Sequence, residues 1–122
     1  MADQPIDQAV LDELLETVGG DRAFLAELVD TYLADSPSLF VELRAAIAAG
    51  DAATARRAAH TLKSTSTSFG ALDLAGRCRE IEASAAAADL DGIEEQVALA
   101  ETSYAQVEIA LRTAVGAAGE AA

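Results

Sequence analysis

The chain has one cysteine, one histidine, two prolines and no tryptophan in 122 residues. A single cysteine, Cys78, excludes an intrachain disulfide and suits a reducing cytoplasm. Cations are scarce: eight Lys and Arg stand against 21 Asp and Glu, for a net charge of −13. Nothing at that balance neutralises a run of phosphates, so nucleic-acid binding is excluded, and an anionic membrane surface is equally disfavoured. No apolar stretch approaches the roughly 18 residues that a membrane span needs. The opening MADQPIDQAV has neither the basic nor the apolar region of a signal peptide. Three Phe and two Tyr are all the aromatic residues, yet 52% of the chain is hydrophobic. The core is therefore aliphatic, and the length fits one domain over 1–116 with a frayed tail over 117–122. No stretch shows the β-branched alternation of a strand.

What is present is helical periodicity. Val10, Leu11, Leu14, Leu15 and Val18 form one stripe, closed by Gly19-Gly20. Asp21 reads as an N-cap for a second stripe of Phe24, Leu25, Leu28 and Tyr32. Ser36-Pro37 reads as a restart, with a third helix carrying Leu39, Phe40, Leu43 and Ile47 to Gly50. Asp51 caps a fourth helix to about Ser68, and Gly70 suits a left-handed helix end. A fifth has the seam Ala71, Leu74, Cys78, Ile81 and Ala85, with Gly76 suggesting a close helix approach. The sixth runs through Ile93, Val97, Ala100, Tyr104, Val107, Leu111 and Ala114 in steps of four and three. Short connections imply antiparallel neighbours. The expected fold is all-α: an antiparallel up-and-down four-helix bundle, with one or two N-terminal helices capping it.

The lone histidine lies in AAHTLKSTSTSFGAL, residues 58–72. Steps of three and four from His60 reach Arg56, Arg57, Lys63, Ser64 and Thr67, which share its side of the helix. Ala55, Ala59, Leu62, Ser66 and Phe69 form the inward side, so His60 faces solvent. A solitary exposed histidine is often only a polar surface residue. Here, however, five of the eight cations (Arg56, Arg57, Lys63, Arg77, Arg79) fall between 56 and 79, and only Asp73 is acidic between 52 and 79. A cationic patch on so anionic a chain suggests that negative charge sits there at least transiently. Arg56 and Arg57 can serve a docking partner or simply pair with acids on a neighbouring helix.

Most histidine chemistry fails on inventory. A metal centre draws several ligands, and here one His and one Cys lie 18 residues apart. Ser64 is one turn from His60, but the two lie side by side on one helix, and no strained turn or glycine-rich oxyanion hole accompanies them. No glycine-rich phosphate loop supports ATP binding. The imidazole as a nucleophile in its own right remains, with Lys63 to offset phosphoryl oxygens and small neighbours to admit a donor. A non-catalytic helical adaptor is the alternative, and it leaves the His-Lys pair accidental.

At these residues AHTLKSTSTSFGALDLAGRCREIE resembles the signature of histidine-containing phosphotransfer (HPt) domains. The resemblance extends to GD…FLAELVDTYLAD and so spans nearly the whole chain. It implies that His60 is the phosphorylated histidine, Lys63 the lysine beside it and Ser64 the small residue one turn on. Gly70-Ala71 becomes the turn between two bundle helices, Leu74 and Cys78 packing positions, and Glu82 the glutamate closing the motif. Two departures stand out: Ser64 where glycine is commonest, and STSTSF in place of an asparagine-containing stretch. The second leaves open how that end of the helix is held. The resemblance further implies a monomeric, cytoplasmic phosphocarrier rather than an enzyme with its own turnover or kinase activity. Response-regulator receiver domains or a hybrid sensor kinase would be its partners, with Ser64, Arg56, Arg57 and Thr67 at the docking face. No cofactor is expected on this chain, because Mg²⁺ would come from the receiver. Met1 and the count of six helices favour a free-standing protein over a piece of a hybrid kinase.

Overall fold

The computed structural model describes residues 4–121, with side chains described from 4 to 116. Five helices follow one another: α1 (Gln8–Thr17), α2 (Arg22–Ala49), α3 (Ala52–Ser68), α4 (Leu72–Ala86) and α5 (Ile93–Ala121). No strand occurs among the described residues. The expected tail at 117–122 falls where side chains lie outside the described residues.

Side-chain caps set the helix starts. The carboxylates of Asp7, Asp21 and Asp51 accept from the backbone N–H of Ala9, Phe24 and Thr54, each satisfying a donor the helix cannot. Gly50 ends α2 in the left-handed region at φ 71°, and Gly70 takes φ 78° after α3. The C-terminal half of α3, where the hydroxyl run falls, is held from α2. Tyr32 and Ser66 share a buried 2.8 Å hydrogen bond, and Phe69 stacks on the Tyr32 ring at 4.9 Å.

Ser36-Pro37 does not restart a helix. Helix α2 runs straight through Pro37, which merges the expected second and third helices and leaves α1 as the one cap. A proline inside a helix costs about 3 kcal/mol, partly because the carbonyl four residues back loses its donor. That carbonyl belongs to Leu33, and the Tyr104 hydroxyl of α5 donates to it at 3.3 Å. Ser36, read as a cap, is buried and donates its hydroxyl proton to the Tyr32 carbonyl at 2.7 Å. Two further expectations fail. Phe24 is 43% exposed rather than part of the buried stripe. A Cβ on Gly76 would meet nothing within 4 Å, so close helix approach is not why glycine stands there.

The four long helices form a ring in which α3 packs on α2 and α4, and α5 closes against the same two. Helix α1 lies across one end, against α2 and α3. Leu43, Leu62, Leu74, Ile81, Val97 and Leu111 are wholly buried, each such side chain contributing about 1.5–3 kcal/mol. The α3–α4 interface is the most extensive, and Ala55, Ala58, Ala59, Ala71 and Ala75 are buried in the core of these two helices. Small side chains let two backbones approach and fix their register. That register places the side chains of the site.

Candidate functional site

His60 sits mid-way along α3 on its outer face, with 58% of its side chain exposed. Arg56, Arg57, Ser64 and Thr67 are exposed on the same face, and Lys63 is partly covered. The predicted residues are therefore brought together, as the 3.6-residue period requires.

Glu82 of α4 completes the group. One of its oxygens lies 2.8 Å from His60 Nδ1 and the other 2.7 Å from Lys63 Nζ. The carboxylate is the least exposed of the three, at 17% against 25% for Lys63. The Lys63 ammonium, ahead of the hydrogen bond from His60, holds the Glu82 carboxyl below its ordinary value, against the opposing effect of desolvation. An ionised carboxylate only accepts, so Nδ1 must carry the ring proton. The lone pair is then on Nε2, the other ring nitrogen.

Lys63 is thus not a free cation but one already shared with Glu82. Arg56 and Arg57 form no ion pair among the described residues, so they are not paired with acids of a neighbouring helix there. Arg57 donates only to the Thr54 hydroxyl, at 3.2 Å. Both arginines line an open depression of about 550 Å³ with His60, Thr61 and Glu82. Across α3, Leu28, Leu39, Tyr32 and Phe69 line a smaller, mostly apolar groove that reaches Thr61 and Thr65. Thr67 donates its hydroxyl proton to the Lys63 carbonyl at 2.8 Å, so its oxygen is tied to the helix while its methyl group remains on the surface. Cys78 is wholly buried, and burial pushes its thiol up to about 12, far from any reactive thiolate.

Sequence reasoning named Glu82 only as the end of a motif and gave it no role. The signal lay in its distance from the turn: His60 is ten residues before Gly70, and Glu82 eleven after Ala71. In an antiparallel helical hairpin such residues come level.

A helical bundle that displays one carboxylate-held imidazole beside a lysine and unpaired arginines has the charge setting to receive a small anionic group. The comparisons agree. The model of the Hpt domain matches residues 27–120. The fold is similar to that of histidine-containing phosphotransfer protein B (HptB) from Pseudomonas aeruginosa PAO1, with a TM-score of 0.85 and 32% identity. That likeness covers 93% of this chain and 96% of the other. No curated protein matches the chain. The chain belongs to the Hpt domain family and is a histidine phosphotransfer protein of a phosphorelay, with receiver domains as its kind of partner. The adaptor alternative gives way to this result. Among the described residues, no helix is long and apolar enough to cross a membrane.

Proposed function

We propose that His60 is the phosphoacceptor and that Nε2 is its reacting nitrogen. The observation that carries this is the 2.8 Å contact between Nδ1 and Glu82, which leaves Nε2 as the only nucleophilic lone pair of the only histidine. An aspartyl phosphate of a docked receiver is attacked in line, and the aspartate leaves as its carboxylate. Lys63 has three donors and uses one on Glu82, so it can offer another to the incoming phosphoryl oxygens. Arg56 and Arg57 meet the acidic rim of the receiver, while Ser64 and Thr67 keep the approach low. The receiver supplies the Mg²⁺, and this chain contributes the nucleophile and its charge setting rather than turnover of its own.

The finer readings are ours as well. The chain works as a monomer, since its large exposed apolar residues Phe24, Val41, Leu72, Leu99 and Ile109 are scattered over α2, α4 and α5. It works in the cytoplasm, which suits a buried free thiol. The test is incubation with a phosphorylated receiver. Acid-labile, base-stable label is expected on the wild type and none on His60→Gln. Stability should change by no more than about 1 kcal/mol, because the side chain is exposed and loses one hydrogen bond, to Glu82. Label persisting in the variant overturns the assignment.

A further inference from the structure

Most cations outside the histidine face are neutralised within the molecule: Arg44, Arg77 and Arg112 each hold a carboxylate, as does Lys63 beside His60. Arg56 and Arg57 hold none, yet both line the depression that contains His60. The acid lining that depression is Glu82, and its two oxygens are taken by His60 and Lys63. The hollow therefore keeps two uncompensated positive charges in a chain of net charge −13. Resting on His60 as the acceptor, we infer that Arg56 and Arg57 bind the phosphoryl group itself in the free carrier, once the donor receiver has left. They thereby set how much of the phosphoryl group resides on this chain.

The helix dictates the placement. Arg56 and Arg57 precede His60 by four and three residues and Lys63 follows it by three, so cations stand on the turns at either side of the ring. Helical side chains lean toward the N-terminus, which carries the ring over the arginine turn rather than over Ser64. With Nδ1 held by Glu82, a group on Nε2 lies on the open side of the ring, where the depression of about 550 Å³ has room for it. Arg57 is steadied from the start of α3. The Thr54 hydroxyl donates to the Asp51 carboxylate at 2.7 Å and accepts from Arg57 Nη2 at 3.2 Å. That contact occupies one of five guanidinium donors, and Arg56 makes no side-chain hydrogen bond among the described residues. A guanidinium presents paired N–H groups that match phosphoryl oxygens, where an ammonium is a point charge. Thr54 is a positioning residue: it touches Arg57, not the phosphoryl group.

Holding the phosphoryl group and docking a receiver are separable by equilibrium. Transfer exchanges the P–O bond of a receiver aspartyl phosphate for a P–Nε2 bond. The aspartate keeps the bonding pair as its carboxylate, Nε2 gives its own pair, and reversal returns both. Contacts made only while the two proteins are docked change the forward and reverse rates alike and cancel from the equilibrium between the free proteins. Contacts to the phosphoryl group on the free carrier do not cancel.

The full chain is loaded with radiolabelled phosphoramidate and mixed with one receiver domain and Mg²⁺. The label on each protein is read once the ratio is constant, approached from both directions. Arg56→Ala combined with Arg57→Ala is expected to move the ratio about 3–10-fold toward the receiver, as the loss of two exposed charge contacts would. Lysine at both positions should recover part of that shift, since it restores the charge without the fork. Thr54→Val should shift the ratio less, and not at all in an Arg57→Ala background. An unchanged ratio in the double alanine variant overturns the inference, whether or not transfer slows, and leaves the arginines to the receiver alone. Absence of label on the wild type, or label on His60→Gln, instead overturns the acceptor assignment beneath it.

Discussion

Gly70→Ala should destabilise the protein well beyond Gly50→Ala, although both glycines occupy the left-handed region, at φ 78° and 71°. For alanine that conformation costs about 1–2 kcal/mol, offset by about 0.4–1 kcal/mol from a stiffer unfolded chain. At Gly50 nothing lies within 4 Å of the new Cβ, so the net loss should stay near 1 kcal/mol. At Gly70 the Cβ would stand 2.7 Å from the Asp7 carbonyl oxygen and 3.2 Å from Val10 Cβ. Backbone cannot swing aside as a flexible side chain does, so the segment leading into α1 has to lift. Lifting it breaks the 2.8 Å bond from Asp7 N–H to the Gly70 carbonyl, worth about 1 kcal/mol. It also uncovers Ile6, which is 8% exposed, at about 1.5–3 kcal/mol. The extra loss at Gly70 is therefore about 2–4 kcal/mol. Urea denaturation of the two variants reads it as a difference in midpoint of about 1–2 M. His60 lies three turns away, so whatever fraction of Gly70→Ala is folded should still accept label. Equal midpoints for the two variants would refute the account of the N-terminal segment as a tethered cap.

Two further perturbations test other contacts. Tyr104→Phe removes the donor to the Leu33 carbonyl and should cost about 1–3 kcal/mol, whereas in a Pro37→Ala background the restored N–H replaces it and the cost should fall below 1 kcal/mol; additive losses would show that Tyr104 does not serve the proline gap. Acid sensitivity follows from Glu82. Its folded titration is lowered, chiefly by Lys63, so the unfolded chain binds its proton first as pH falls. The stability it contributes is full above its unfolded value of about 4.3 and is lost as pH drops through the lower folded value. Denaturation midpoints from pH 6 to 2 should fall less steeply for Glu82→Gln than for wild type, and parallel curves would remove Glu82 from the acid response.

The fold was largely legible because its signals are local. Asp21 and Asp51 cap helices from inside their own first turns, and the α4 and α5 seams follow from period alone. Pro37 was misread for the opposite reason. Its local chemistry, a hydroxyl followed by proline, is that of a helix start, and the group that compensates the lost donor is Tyr104, 71 residues from Leu33. No window on α2 contains that information. Phe24 fails similarly: its spacing fits the stripe, yet it stands 43% exposed in the first turn of α2.

The site was half legible along the same line. His60, Arg56, Arg57, Lys63, Ser64 and Thr67 belong to one helix, so spacing alone puts them on one face. Glu82 comes from another helix, and its role depends on how far each chain segment runs from Gly70. The 22-residue interval between His60 and Glu82 is thus a structural quantity. One residue more within α4 ahead of Glu82 would rotate that side chain by about 100° about the helix axis and advance it about 1.5 Å. Glu82 would then leave Nδ1 with His60 and Lys63 unchanged in sequence, and the ring would lose the contact that selects Nε2. The turn at Gly70 accordingly does two jobs from one conformation: its carbonyl anchors α1, and its length brings a carboxylate level with the histidine.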